Sequence, residues 1–401
     1  MARRLALALV PLALAAGCQG QLYGSSRDAA GTDAGPRVIV DLDANGRDAG
    51  VPPGTDAGPL PPGTDAGPPS PGVDAGPPPP GVDAGPPDPC ASVSCMANAH
   101  CSSGTCVCDT GFTLSGGACV SLPPGDPAGR TQAEVCMQWN AGHVENASTP
   151  WTAGSSMCDA GSMPMAATDD TLRRVNMFRW LAGMPSVSYD GSDAAGMQQC
   201  AHMMSVNGML SHSPPTSWTC YTAGGAAAAG RSNIAWGYST PGSAIDGYMT
   251  DVGTMSLGHR RWILGRRLGR VEIGFSRGGA RPGQCLGVFD SSGSSAREWT
   301  AYPNQGVAPI DLVTDRFGGT VAWSLQANTF TLPTGTAVSV QRMSDGANLT
   351  VTSYLTGGGG PPPSIGFTPS GWTPEAGQTY RVTVTGTSIG TITYDVTLVS
   401  C

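Results

Sequence analysis

The stretch Ser256–Leu264, SLGHRRWIL, sets a histidine directly before two arginines and follows them with an aromatic-aliphatic run. It fits a short helix over Leu257–Leu264, and another is expected just upstream over Ala244–Thr250. Downstream, RVEIGFS (270–276) and CLGVFDS (285–291) read as strands divided by the turn GGARPG (278–283). Two longer helices precede this group. In TDDTLRRVNMFRWLAG (168–183), Leu172, Val175, Phe178 and Leu181 recur at helical spacing. Thr168 is the expected cap, Asp169 and Asp170 suit the positive first turn, and Gly183 suits the stop. Ser192–Asn207 carries Ala194, Met197, Ala201 and Met204 along one face.

After Trp299 the helical periodicity stops. TVAWSLQ (320–326), TAVSVQRM (336–343), ANLTVTSYL (347–355), TYRVTVTG (379–386) and ITYDVTLVS (392–400) are short, β-branched and punctuated by Gly, Pro and Asp. That pattern predicts an all-β sandwich of the immunoglobulin or fibronectin kind over residues 300–401.

The other end of the chain is built for export. MARRLALALVPLALAAGC (1–18) has Arg3 and Arg4 as a positive start, an apolar run from Leu5 to Leu14, and small residues after it. This is the layout of a signal peptide over residues 1–17. The run is shorter than the ~20 apolar residues that span a bilayer. Its end, Ala15-Ala16-Gly17-Cys18, resembles the bacterial lipobox, with Cys18 as the lipidated membrane anchor. Ordinary secretion with Cys18 incidental is the alternative. From Arg27 to Pro89 the chain repeats units such as GTDAGPLPP and GVDAGPPPP. Such a tract buries no apolar surface and favours extended polyproline II, so residues 18–89 are expected to be a disordered spacer.

Of thirteen cysteines, setting Cys18 aside leaves twelve, an even set suited to an oxidising compartment. Six fall within CASVSCMANAHCSSGTCVCDTGFTLSGGAC (90–119), a segment too small to fold without staples. Their spacing and the CVCDTGF run resemble an EGF-like module over residues 90–120, which implies Cys90–Cys101, Cys95–Cys106 and Cys108–Cys119. Before the first cysteine PPDPC offers only Asp88, so no calcium site is expected. Residues 131–167 read as a linker-like extension tied by Cys136–Cys158. Cys200–Cys220 and Cys285–Cys401 are the remaining expected pairs.

All 21 basic residues are arginine and the net charge is -8, which argues against a nucleic-acid partner. Arg260, Arg261, Arg266, Arg267, Arg270, Arg277 and Arg281 crowd into 22 positions. Guanidinium groups grip phosphate and carboxylate by paired hydrogen bonds. Arg260 and Arg261 are therefore expected to meet an anionic envelope polymer, lipid or protein; a solvated face is the alternative.

Short motifs in the family's order resemble the CAP superfamily (cysteine-rich secretory protein, antigen 5, pathogenesis-related 1; the SCP domain), in a bacterial lipoprotein form. Asn176 and Arg179 match its N-x-x-R, Tyr189-Asp190 its short polar turn, and His202 its histidine-containing helix. LSHS (210–213) supplies His212, and SNIAWGYS (232–239) matches the family's GENI-plus-glycine strand. SLGHRRWIL and RVEIGFS match its GHR helix and first hairpin strand. The resemblance spans Thr168 to Ser292 and implies an α/β/α sandwich over residues 168–296. The family's cleft typically gathers two histidines and two glutamates, and some members bind zinc there. The histidines carry over to His212 and His259. The glutamates do not: the GENI glutamate falls on Ser232, and no glutamate stands between Glu145 and Glu272.

The chemistry follows from that loss. Zinc takes four protein ligands, or three and a water. Two imidazoles fall short, so Asp251 or Asp246 would have to supply a third, and no metal or other cofactor is expected. Hydrolysis would need a hydroxyl from Ser211, Ser213 or Ser232, with His212 or His259 as base and Asp251 to orient it. The expectation is an exported cell-envelope lipoprotein that binds a surface ligand without catalysis, through His212, Asn233, His259, Arg260 and Arg261. A metal-assisted or serine hydrolase is one alternative; a structural or adhesive envelope protein is the other.

Overall fold

A computed structural model describes residues 89–401 except 91, 92, 94, 97, 98, 103, 109–111, 122, 123, 315–320, 358 and 359. It also describes three N-terminal strands, Ser26–Arg27 (β1), Asp33–Ala34 (β2) and Val38–Val40 (β3). The expected signal peptide, Cys18 and most of the repeat tract lie outside the described residues.

Two hairpins follow, Ala99–Ser102 (β4) with Thr105–Cys108 (β5), and Phe112–Ser115 (β6) with Ala118–Ser121 (β7). Cys90 is bonded to Cys101, Cys95 to Cys106 and Cys108 to Cys119. Among the described residues of this segment only Cys119 is a buried apolar side chain. The bridges stand in for a core.

Where a linker-like extension is expected, the chain forms a helix, Gln132–Gly142 (α1). Its start is a reciprocal capping box: the Glu134 amide donates to the Thr131 hydroxyl at 3.3 Å and the Thr131 amide to the Glu134 carboxylate at 2.8 Å. The next helix, Met165–Leu181 (α2), begins one turn earlier than the sequence suggests, behind Pro164. Thr168 is thus not the cap. Asp170 lies inside the helix and buried, where it accepts the amides of Asn146 and Ala147 at 2.8 and 2.9 Å and pairs with Arg173. Tying down the preceding loop outweighs its preference for a helix end.

The rest of the α/β body runs Ser188–Tyr189 (β8), Ala194–Asn207 (α3), Ala223–Ala229 (α4), Ser232–Trp236 (β9), Pro241–Thr250 (α5), Gly258–Ile263 (α6), Arg270–Ser276 (β10) and Gly283–Gly287 (β11). The five-stranded sheet has the order β3-β9-β11-β10-β8, antiparallel except for β10 with β8. β3 pairs with the β9 edge from Val38 opposite Trp236 to Val40 opposite Ile234. Part of the stretch expected as a spacer therefore belongs to the sheet. Successive strand residues face opposite sides. Cys285 and Ile234 pack with Met197, Ala201 and Met204 of α3, whereas Leu286 and Ala235 join the core of α2 and α5. Helices thus cover both faces. A side chain at Gly274 or Gly283 would strike the backbone of Met197 or Ala201 in α3, so glycine sets how closely that helix lies.

The C-terminal region contains Trp299–Tyr302 (β12), Gly306–Pro309 (β13), Trp323–Ala327 (β14), Ala337–Arg342 (β15), Asn348–Thr356 (β16), Ser364–Ser370 (β17), Thr379–Thr387 (β18) and Gly390–Val399 (β19). They form one order, β12-β14-β17-β16-β15-β18-β19-β13. In a flat sheet strands four places apart would be ~19 Å apart. Yet the rings of Trp323 on β14 and Tyr380 on β18 are 6.2 Å apart, and those of Trp299 on β12 and Tyr394 on β19 are 5.1 Å apart. The sheet therefore folds over onto itself. The expected sandwich of two separate sheets is replaced by a continuous order, because β16 pairs with both β15 and β17. Pro369 sits in β17 opposite Val351 of β16 and beyond the residues paired to β14.

Three expected disulfides are corrected. Cys136 bonds to Cys401, Cys158 to Cys220 and Cys200 to Cys285, with Cα separations of 4.9, 5.0 and 6.2 Å. The pairs Cys136–Cys158, Cys200–Cys220 and Cys285–Cys401 do not form. Cys285 faces α3 and so meets Cys200 in the core, leaving Cys220 on the surface loop for Cys158. Cys136 on α1 lies beside the C-terminal strand end. The two halves share one apolar core that runs from Val175 and Tyr248 to Trp323 and Val396. No helix among the described residues is long and apolar enough to cross a membrane.

Candidate functional site

His259 opens α6 after a tight turn from α5. Asp251 at the α5 end and Leu257 before α6 both take left-handed φ of 51°. The Asp251 carboxylate then gathers the turn. One oxygen accepts from His259 Nδ1 at 2.8 Å and from the Thr254 hydroxyl, and the other from the Arg260 amide at 3.3 Å. The imidazole stacks on Tyr248 with centroids 5.3 Å apart. Tyr248 donates to the Asn233 carbonyl at 3.0 Å, and Asn233 Nδ2 donates to the His259 carbonyl at 3.1 Å. This circuit joins α5, β9 and α6. Burial pushes the Tyr248 hydroxyl well above its ordinary value, which keeps it a donor.

His212 is held differently. Its Nδ1 meets the Ala229 carbonyl at 3.0 Å. A carbonyl only accepts, as does an ionised carboxylate, so Nδ1 is the donor in both histidines. His212 grips residue 229 and the His259 backbone is held by residue 233, so both histidines bear on one short segment between α4 and β9. His212, Asn233 and His259 are at most 3% exposed.

The other expected participants separate. Ser232 is fully buried and its hydroxyl donates to the Ala228 carbonyl at 2.8 Å. Asp251 acts on the far nitrogen of His259, which is the place of an outer orienting group rather than of a metal ligand. Asp246 belongs to another network, 2.5 Å from Arg174 and 3.6 Å from His143. Among the described residues no group of three or more His, Cys, Asp or Glu is placed to hold a metal ion. His202 is buried with Nδ1 at 3.0 Å from the Ser276 hydroxyl and Nε2 at 2.8 Å from the Met157 carbonyl.

Arg260 and Arg261 do not form a ligand-binding surface. Both are buried and face the protein's own backbone. Arg260 donates to the carbonyls of Met249, Thr250 and Ala322 at 2.6, 2.9 and 2.8 Å and to the Ser324 hydroxyl at 3.0 Å, with its guanidinium 3.8 Å over the Tyr302 ring. Arg261 reaches the carbonyls of Pro361 and Pro362 at 2.9 and 3.1 Å. Both span from α6 to the C-terminal sheet region. Arg179 does the same within the α/β body, holding the carbonyls of Pro185, Ile263, Gly265 and Leu268 at 2.7 to 3.1 Å. A planar group with five donors suits several carbonyls at once.

Sequence reading missed a separate cavity of about 220 Å³ at the end of the five-stranded sheet, lined by Asp190, Arg231, Arg270, Glu272, Phe289 and Asp290 among others. Phe289 and Asp290 were read as a continuing strand. They lie just beyond β11, and the exposed aromatic next to an aspartate was the available signal.

No curated protein and no solved structure matches the chain. Residues 172–288, from within α2 to just past β11, match the family model described as the cysteine-rich secretory protein family, which supports placing this α/β body in the CAP superfamily.

Proposed function

We propose that this chain is an exported, envelope-attached protein whose CAP region binds an extracellular ligand and does not catalyse. The signal layout, the Cys18 lipobox resemblance and six disulfides support export. The proline-rich tract and an EGF-like module would carry the shared core of the CAP region and folded β-sheet away from the membrane. The observation that carries the non-catalytic reading is the internal use of the site's polar groups. Asp251 is spent on His259, Thr254 and the Arg260 amide, and the Ser232 hydroxyl on Ala228. A nucleophile in reach of a base, with a third group to orient it, is what hydrolysis needs. Here the orienting group is present and Ser232 is turned away.

The second reading, metal-assisted hydrolysis, draws on the two Nδ1 anchors, an arrangement that also stands behind metal-binding histidines. One experiment separates them. The oxidised chain is incubated with fluorogenic peptide and ester substrates, with and without zinc, beside its His212→Ala/His259→Ala variant. Equal background release from both proteins is expected. Turnover that disappears in the double variant would overturn the binding reading.

A further inference from the structure

The cavity at the sheet end combines features that the histidine region lacks. Phe289 is 50% exposed and borders the cavity. It is fixed from behind by Trp262, 4.4 Å away and nearly parallel, and Trp262 in turn lies against Gly360. The aromatic face is thus a firm platform beside open space. Around it stand two guanidinium–carboxylate networks. Arg231 binds Glu272 at 3.0 Å and also Asp193, and Arg270 binds Asp190 at 2.9 Å and Asp290 at 3.4 Å. Asp290 is itself anchored by the amides of Gly269, Arg270 and Ser292 at 2.8, 3.0 and 3.1 Å.

Charge narrows the ligand class. Two guanidinium groups against the three carboxylates of Asp190, Glu272 and Asp290 leave a formal charge of -1, and each of these carboxylates is already paired with an arginine. A polyanion would meet the carboxylates, and a cation would meet the arginines. What remains is a neutral molecule with many hydroxyls and one apolar face. Hydroxyls both donate and accept, so they bridge an ion-paired network without breaking it. A volume near 220 Å³ is below the ~300 Å³ at which drug-sized pockets begin. It accommodates one ring of a longer chain.

We propose that this cavity is a subsite for a neutral pyranose unit of a glycan. The C–H face of the ring lies on Phe289, and the hydroxyls engage Glu272, Arg231, Arg270 and Asp290. This deepens the binding reading and rests on it, at a site separate from the histidines.

The test is saturation-transfer NMR on the oxidised full-length chain with the methyl glycosides of glucose, galactose, mannose and N-acetylglucosamine, with methyl glucuronide as the anionic comparator. Transfer to the ring C–H protons of at least one neutral glycoside is expected. Phe289→Ala should weaken its binding about tenfold and Phe289→Tyr by less than twofold, with unchanged melting temperatures showing that both fold. Glu272→Gln, which leaves the aromatic platform intact, should weaken it several-fold. Absence of transfer to every neutral glycoside, equal transfer to Phe289→Ala, or preference for the glucuronide would each overturn the proposal. Release of methanol in the same spectra would instead break the non-catalytic reading. Co-sedimentation with purified peptidoglycan or with a neutral exopolysaccharide, lost in Phe289→Ala, then identifies which polymer supplies the ring.

Discussion

Two pairs of arginines in the α/β body are put to opposite uses. Arg260 and Arg261 are buried between α6 and the C-terminal sheet and bind mainly neutral backbone carbonyls. Arg231 and Arg270 stand at the rim of the α/β sheet, partly in solvent, and bind carboxylates. The first group fastens two regions of the chain to each other; the second borders a cavity. A run of positive charge in sequence is therefore no guide to a positive surface. Burial decides, and burial depends on what packs against the helix carrying the run.

The sharpest way to break this contrast is Arg260→Met. Removing the guanidinium strands three backbone carbonyls in the core, at an expected cost of about 3–5 kcal/mol. The urea midpoint would report it, and Arg260→Lys should recover only part because one ammonium cannot span the same partners. A midpoint unchanged by Arg260→Met would show that the junction does not depend on this side chain.

An intermediate effect is expected at Asp246, which joins α5 to Arg174 of α2. Burial alone would push its carboxyl up, but Arg174 and His143 outweigh that and hold it below its ordinary value. A depressed folded value means stability that is present above the unfolded value of about 3.9 and lost as pH falls through the folded one. Asp246→Asn should therefore flatten the acid limb of the melting temperature below about pH 4. Glu145, also beside Arg174, has its carboxyl raised mainly by burial and contributes with the opposite sign. A steeper acid limb in Asp246→Asn would reverse the assignment. The smallest effect belongs to Arg270→Ala. Its side chain is 51% exposed, and loss of its pairs should cost at most about 1 kcal/mol, less at high salt.

Much of the α/β body was legible because its signals are local. The periodicity of Leu172, Val175, Phe178 and Leu181 places their burial, and RVEIGFS is a strand at the residues expected. The Thr131–Glu134 capping box stood in the sequence as TQAE, but the cysteine beside it drew the reading toward a linker. β17 was missed because SIGFTPS contains glycine and proline, residues that read as turn rather than strand. At the site, His212, Asn233 and His259 were legible as residues, and Asp251 as the group to orient one of the histidines, whereas the Ala229 carbonyl behind His212 was not. The Arg260 and Arg261 assignments failed for the reason given above: their partners lie about 60 and 100 residues downstream.

The sequence by itself determined the four main helices and the strands Ser232–Trp236 and Arg270–Ser276 of the α/β body, the β-rich C-terminal region, and the two histidines with no glutamate between Glu145 and Glu272. These are read from neighbours along the chain, whose spacing the backbone geometry of helix and strand makes regular. Only the tertiary structure decided that the C-terminal sheet folds over itself and joins one common core, and how the six cysteines after Cys119 pair. It alone decided that Asp251 orients His259 rather than His212, and that Phe289 borders a cavity. Each of these joins residues far apart in the chain, and such contacts follow from how faces pack, which local spacing does not encode.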